Sequence, residues 1–496
     1  MKVLFTSIFL TFLTIALHAQ FPDTAWVYNY GTPITENFGE IKQTTDSGFV
    51  IVGTTNNECL GMNDINIIKV DSGFNTQWSK VYGGTGTEWG YSVVQTFDGG
   101  YAFAGFTNSY GNGGYDGYLV RVNSWGNIIW TKTFGGTNWD FIYSLKQTSD
   151  SGFVLCGETY SFGSGGKDVY AIRTDKNGNT IWTNTFGGTL DDIGNKIIVK
   201  NDTSYAIIGQ TNSFGLGNTD VYFLLIDSNG NLITSKTYGS TRADIGFGID
   251  TTSDGGFVFA GITDSLNLGS DGGYIIKTDS VGNELWNRIY NGITTRDIKQ
   301  VIDGGYVVSG TCLNCGSGAK GLYVMRLDGN GFWTAGPAFG GSLDEEGFSV
   351  INTFNGGLVF GGTTTSYGQG YEDIYLIYFN NISIVMNYEV IVSNYNDSLN
   401  CTTGINQPNA EDLGVTIFPN PSNGDINVSI PSALTMGNEM TFTVTDLLGK
   451  EVYKHEIENN NFIFRKKDLN SGTYFYIIRD ENNNILSKGK IIFIEN

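Results

Sequence analysis

The sequence predicts an all-β chain: a seven-bladed β-propeller closed by an N-terminal strand, followed by a small immunoglobulin-like β-sandwich. Three observations carry this. An aromatic residue followed by glycine or a stand-in recurs at Tyr30, Tyr82, Phe134, Phe186, Tyr238, Tyr290 and Phe339, at five intervals of 52 residues and a last one of 49. Units that repeat this way bury their apolar faces only by stacking on one another. Glycine (69 residues) and aromatics (14 %) are abundant among 496 residues, whereas charged residues make up only 16 %. That mixture suits short strands joined by tight turns. Finally, the repeat stops near Asn380 and a different alternating pattern begins at Leu413.

Taken in chain order, Met1-Lys2 leads into an apolar run from Val3 to Leu17 and then His18-Ala19-Gln20. A charged start, an apolar core of this length and a small residue at the break read as a secretory signal over residues 1–19. No later stretch is long and apolar enough to predict a bilayer span in the mature chain.

The propeller is predicted over residues 20–380. Six positions after the aromatic start comes an acidic residue: Glu36, Glu88, Asp140, Asp192, Asp244 and Glu345. In the shortened sixth unit Asp297 is the nearest equivalent. A strand follows, then a turn that in most units reads D-[SG]-G-[FY], as in Asp98-Gly99-Gly100-Tyr101. Glycine there is expected to supply the positive φ of a tight hairpin. A second strand ends in Gly-x-Thr, and a Gly/Ser/aromatic loop leads to a third such as Tyr118–Val122. The turn Asp175-Lys176-Asn177-Gly178-Asn179 and its equivalents precede a fourth strand carrying Trp78, Trp130, Trp182 or Trp286. Four antiparallel strands per unit of this length make a propeller blade.

Ring closure follows from the ends. Trp26 and Tyr30 fit the fourth-strand template, yet no first three strands precede them. The last unit ends after its third strand, Tyr375–Phe379. The N-terminal strand is therefore expected to complete the seventh blade and remove an open sheet edge. This repeat resembles propeller repeats of exported proteins from Bacteroidetes-type bacteria. Its D-x-x-G-N-x-x-W segment is loosely similar to the Asp-box of sialidase-type propellers and the tryptophan-docking turn of quinoprotein-type propellers. Those resemblances imply fold, with no catalytic role.

Residues 381–412, with an apolar stretch from Ile382 to Val392 and a polar Asn/Ser/Thr run, read as linker. Residues 413–496 carry the sandwich pattern of about seven short alternating strands. Phe418-Pro419-Asn420-Pro421 with Gly424, Asp446-Leu447-Leu448-Gly449-Lys450, Leu469-Asn470-Ser471-Gly472-Thr473-Tyr474 and the terminal Lys488–Ile492 strand fall in order. Together they resemble the type A C-terminal sorting domain of the type IX secretion system. The resemblance implies passage through the periplasm, export by the type IX machinery, contact with a surface sortase, and cargo that is released or held at the outer-membrane surface.

The net charge of −21 argues against nucleic acid, which demands a basic footprint. Beyond the signal the one histidine is His455, in the sorting domain. A histidine-dependent nucleophile or histidine-held transition metal is thereby excluded from the propeller. The ring of Glu36, Glu88, Asp140, Asp192, Asp244 and Glu345 admits two readings. Carboxylates favour a hard cation such as calcium, or each carboxylate accepts N–H bonds from the adjoining Gly-Gly turn and locks the blades. The second is favoured, and no other cofactor is expected. Glycine-rich loops such as Gly111–Gly114 lack the following helix a phosphate cradle needs.

Aromatics in the loops between second and third strands (Tyr110, Phe162, Phe214, Tyr367), with Trp89 and Trp139 nearby, are candidate contacts for a glycan or protein. Inter-blade packing is the competing reading. The fourth-strand tryptophans are assigned to core, and Lys69, Arg121, Arg173, Lys277 and Arg326 to the solvated surface. Cys312 and Cys315 are a candidate disulfide stapling a loop; Cys156 reads as a buried small hydrophobe, and Cys59 with Cys401 as a further pairing. The resulting expectation is a secreted or surface-anchored, non-catalytic binding or adhesion propeller. The alternative is a polysaccharide-acting hydrolase or lyase using paired carboxylates at the channel mouth.

Overall fold

The computed structural model describes residues 23–381 except 57–59, 265–271, 314 and 316–317, then 388–396, 416–418, 425–430, 440–446, 450–457, 459, 461–465, 469–479 and 485–493. The secretory signal, Cys59, Cys401, Pro419, Asn420, Pro421, Gly424 and Gly449 lie outside the described residues. The chain divides into two compact units, Met1–Gly404 and Ile405–Asn496.

Seven sheets form the first unit; five of them hold four strands in sequence order, and the sixth blade splits its fourth strand into Trp333–Ala335 and Ala338–Phe339, both paired with Lys320–Leu327. In the seventh, Asp23–Gly31 supplies the fourth strand, antiparallel to Asp373–Phe379 with Tyr30 opposite Ile374 and Ala25 opposite Phe379. The N-terminal strand thus closes the ring, as the phase of the repeat predicts. Within the stretch read as linker, Tyr388–Asn396 adds a fifth strand, parallel to Asp23–Gly31. Each blade's first strand packs on its neighbours' first strands, and Glu345–Asn352 meets Glu36–Gln43.

The core is a series of layers between blades. One layer packs Val50, Val52, Ile65 and Ile67 of the first blade on Tyr101, Phe103, Tyr118 and Val120 of the second. Second and third strands are buried on both faces, which is why they read as apolar runs such as Asp64–Val70. Fourth strands are only partly buried along most of their length, because they form the outer edge of each blade.

Two expectations about the frame change. In the D-[SG]-G hairpin the positive φ falls on the variable middle residue, Gly99 at 84° but Ser47 at 64° and Ser151 at 69°. The glycine after it, present in every unit but the fourth, where Ser204 stands, is held by space. A Cβ on Gly100 would lie 2.4 Å from Arg121 Nη1 and from the Val122 carbonyl oxygen. That closeness exposes the second correction. Lys69, Arg121, Arg173 and Lys277 are buried rather than solvated. Each reaches back to the hairpin aspartate of its own blade, as Lys69 does to Asp46 at 2.9 Å. Arg326, half-buried, does the same with Asp303. The salt bridges hold the hairpin carboxylates below their usual range; Asp150 falls to about 2, where Thr148 and Arg173 outweigh burial.

The fourth-strand tryptophans lie at the seams, partly buried rather than in the core. Trp78 meets Tyr101 of the next blade at 5.7 Å and Trp286 meets Tyr306 at 5.9 Å. Where the aromatic that starts a unit is tyrosine, it clamps the same seam: Tyr82 donates to the Gly126 carbonyl at 2.7 Å and Tyr238 to that of Gly282 at 2.5 Å.

The second unit pairs a three-stranded sheet with a four-stranded one. Ile426, Val428 and Phe464 of the first share a core with Met440, Phe442, Val444 and Ile478 of the second. Phe418 ends the strand Thr416–Phe418, and Gly472 begins Gly472–Arg479. Tyr474 is buried and its hydroxyl donates to the Asn470 carbonyl at 3.0 Å.

Candidate binding site at the channel mouth

Every inner strand carries a register shift at its fourth residue, from Phe38/Glu40 in the first blade to Gly347/Ser349 in the seventh. A bulge of this kind releases one residue from the ladder and re-aims its side chain. The residues so released are Gly39, Tyr91, Tyr143, Asn195, Phe247, Arg296 and Phe348. All but one are aromatic or polar side chains, and together with Glu40, Ser92, Ser144, Lys196 and Ser349 they line a cavity of about 310 Å³ on the channel axis. The Arg296 guanidinium lies over the Phe247 ring at 4.0 Å, an arrangement in which the ring face attracts the cation.

Beneath this rim the fifth residues, Glu40, Ser92, Ser144, Lys196, Gly248, Asp297 and Ser349, form the floor. Glu40 accepts from Ser92 Oγ at 2.6 Å and Val93 N at 3.2 Å. Asp297 accepts from Val350 N at 3.2 Å and from Lys196 Nζ at 2.7 Å. Lys196 belongs to the fourth blade and Asp297 to the sixth. The link spans the fifth because that position is Gly248, where a Cβ would lie 2.8 Å from Asp297 Cα. Lys42 pairs with Glu40 at 2.6 Å, and Lys299 with Asp250 at 3.3 Å.

Burial opposes the charged form of both channel acids, but lysines outweigh it: Lys42, Lys146 and Lys196 hold Glu40 low, and Lys196 and Lys299 hold Asp297 low. Burial draws the Lys146 ammonium down to about 7 against the pull of Glu40. The channel therefore carries four lysines against three carboxylates in a chain of net charge −21.

An aromatic platform extends from the rim over the second and third blades. Tyr91 meets Tyr143 edge-on at 5.1 Å, Phe106 meets Phe141 at 4.9 Å, and Trp89 stacks on Phe106 at 6.4 Å. Trp139 contacts Tyr115 at 5.8 Å and remains 52 % exposed. Glu158, buried beside it, bridges to Lys167 at 3.2 Å.

Of the loop aromatics, Tyr110 and Tyr367 lie on the third-strand Tyr118 and Tyr375, each at 5.8 Å. Their hydroxyls donate to the Gly83 and Gly340 carbonyls at 3.1 and 3.2 Å. Phe162 and Phe214 take the same seat on Tyr170 and Tyr222, 47 % and 45 % exposed. The structure thus gathers Trp89 and Trp139 near one platform and disperses the other four, one per blade.

All six ring carboxylates are buried. They accept backbone N–H bonds from the preceding turn: Glu88 from Gly84 and Asp192 from Gly188, both at 2.7 Å, and Glu36 from Thr32 at 3.1 Å. Among the described residues no three His, Cys, Asp or Glu side chains converge as a metal cluster. Asp297 does not stand in for the sixth member. Ile293 occupies that register, opposite Cys312 where other blades have threonine, and the three residues missing from this unit fall between Tyr290 and Ile293. A disulfide joins Cys312 to Cys315, and Cys156 is a buried free thiol.

Residues 416–494 match the Secretion system C-terminal sorting domain family. The chain is therefore a β-propeller protein with a type IX sorting domain, addressed to the cell surface or exterior. No helix among the described residues is long and apolar enough to cross a membrane. No curated protein matches the chain. Similar solved structures include PorZ, an essential surface component of the type-IX secretion system of Porphyromonas gingivalis, at 12 % identity and TM-score 0.40 over 92 % of this chain and 59 % of that one. The chain thus spans under two-thirds of the length of PorZ. The propeller domain of the Trilobed protease from Pyrococcus furiosus aligns at 12 % identity and TM-score 0.40, over 70 % of this chain and 94 % of that one. The Neurospora crassa Pan2 WD40 domain aligns at 10 % identity and TM-score 0.43, over 71 % and 91 %.

Proposed function

We propose that the exported propeller is a non-catalytic binding module and that it seats a glycan at the channel mouth. The observation that carries this is the rim of bulge residues, where Tyr91, Tyr143, Phe247 and Phe348 ring a cavity of about 310 Å³ beside Asn195 and Arg296. Aromatic faces next to amide and guanidinium donors suit the alternating apolar and hydroxylated surfaces of a sugar ring. The exposed Trp139 extends that platform for a longer chain.

A hydrolase built on channel carboxylates is less well supported. Glycoside hydrolysis needs one carboxyl that stays protonated beside one that is ionised. Glu40 and Asp297 are both held low by lysine partners. The test is a glycan-array screen of the full chain, with hits checked for product release. Binding without turnover, abolished by Tyr91→Ala with Tyr143→Ala, is the expected result; turnover on any hit replaces this reading with the enzymatic one.

A further inference from the structure

A second row of carboxylates opens the third strands: Asp64, Asp116, Asp168, Asp220 and Asp373, all buried. Each faces the acidic residue that begins the following blade, across the glycine of the aromatic-Gly start. A Cβ on Gly83 would lie 1.8 Å from Asp64 Oδ1 and 2.6 Å from Glu88 Oε2. The two oxygens are therefore no further apart than those lengths laid end to end. The same holds at Gly135 (Asp116 Oδ1 at 2.3 Å, Asp140 Oδ2 at 2.7 Å), Gly187 (Asp168 at 2.1 Å, Asp192 at 2.6 Å) and Gly239 (Asp220 at 2.7 Å, Asp244 at 2.5 Å). At the closing junction Gly31 sits against Asp373, 1.4 Å from Oδ1.

Repulsion between buried carboxylates has to be answered, since like charges so close do not both ionise unaided. The influences on Asp64 are burial, the N–H groups of Gly61 and Leu60, and the Glu88 carboxylate. Asp64 Oδ1 and Asp373 Oδ1 are fully buried and accept no hydrogen bond. Meanwhile the second oxygen of each accepts from a loop N–H, Gly61 and Gly370, both at 3.2 Å. One oxygen of each aspartate is thus fixed by the loop while the other is left aimed at the neighbouring acid.

The repeat itself supplies a control. At the junction of the fifth and sixth blades the aspartate is Gly272, the facing acid is Ile293, and the glycine of the start is Asn291. Both carboxylates and the glycine that makes room for them are lost together. At the junction of the sixth and seventh blades the aspartate alone is replaced, by Gly321, while Gly340 and Glu345 remain, so the pair is lost there with its glycine kept.

We propose that the carboxylate pairs Asp64–Glu88 and Asp373–Glu36 each bind a divalent cation, calcium by their oxygen-only donors, which pins adjacent blades together. Two carboxylates give a hard cation its charged ligands, with backbone carbonyls and water completing the shell. This differs from a single ion within one acidic ring, and it stands independently of the glycan site.

The experiment measures calcium by mass spectrometry in the full chain dialysed against micromolar calcium chloride, alongside thermal melts with and without chelator at pH 7.5. At least two ions per chain and a melt raised by about 5 °C or more are expected. Asp64→Asn with Glu88→Gln, which keeps shape and removes charge, is expected to lose one ion and part of that shift while its circular dichroism is unchanged. Should the double variant not fold, the wild-type stoichiometry still decides. A wild-type chain that retains no calcium and melts alike with chelator overturns the proposal, as does calcium binding left intact in the folded double variant.

Discussion

The backbone N–H of Phe354 donates to Gln43 Oε1 at 2.7 Å, joining residues 311 apart in the chain. Internal junctions make the same bond: Thr45 N to Gln95 at 2.7 Å, Phe97 N to Gln147 at 3.0 Å, and Ser253 N to Gln300 at 2.7 Å. The seventh blade therefore meets the first through the contact that joins blades within the ring. Closure adds the N-terminal strand to this, so that no blade presents an unpaired third strand.

Removing Asp23–Gly31 is expected to do far more damage than removing the glutamine. Without it the ladder of Asp373–Phe379 is left open, an edge that pairs with other chains. Size-exclusion chromatography of the truncated protein should show oligomers or aggregate. Gln43→Ala should remain monomeric and lose about 1 kcal/mol, the net worth of one hydrogen bond.

Asp98→Ala strands a buried guanidinium. Arg121 would keep the Tyr101 and Val122 carbonyls as partners but lose its counter-ion. Because Asp98 is largely exposed, the expected cost in denaturant unfolding is about 2 kcal/mol, below the range for fully buried pairs. Arg121→Met, which removes the charge that needs an answer, should cost less than Asp98→Ala.

Gly248→Ala tests the floor of the channel. The added methyl would press on Asp297 Cα at 2.8 Å and stand in the path from Lys196 to Asp297. Overpacking of this order costs about 1–3 kcal/mol. Gly99→Ala, at a turn with open space around its Cβ, should be penalised for its positive φ of 84° alone and leave the channel unchanged.

The paired acids set a pH dependence. Burial, reinforced by Asp373, raises Glu36 from 4.5 to about 7 against its hydrogen bonds. Burial also raises Asp64 and Asp373 from 3.8 to about 6, with Glu88 and Glu372 adding to it. In each case the folded state holds its proton more tightly than the unfolded chain, so stability falls as pH rises between the two values. In chelator, melting temperature should therefore climb as pH drops from about 7.5 to about 5. The opposite trend would remove these groups from the account.

The propeller was legible because a 52-residue phase survives in the sequence, and the closing strand could be read from Trp26 and Tyr30 alone. What the phase concealed was the reason for its own invariants. At five of the seven starts the glycine after the aromatic makes room for a carboxylate pair, and the last glycine of D-[SG]-G makes room for an arginine or lysine of the third strand. Both are tertiary constraints, invisible to turn propensity. The channel was missed for the opposite cause. Its lining falls at the fourth and fifth positions of the inner strands, where Gly39, Tyr91, Asn195 and Arg296 share a register but no chemistry. Variation at fixed register was the available signal. Trp89 and Trp139 flank the carboxylates Glu88 and Asp140 that open their inner strands, two and four residues before the rim positions Tyr91 and Tyr143.

The most direct test of a binding role at the channel mouth is equilibrium binding of the full chain to the best glycan from an array, by calorimetry, against Tyr91→Ala/Tyr143→Ala and Trp139→Ala. Loss of a stacked ring costs about 1–3 kcal/mol, so affinity should fall at least tenfold in the double variant and less in Trp139→Ala, with melting curves of all three alike. Affinity unchanged in the folded double variant would contradict the account and move the site elsewhere.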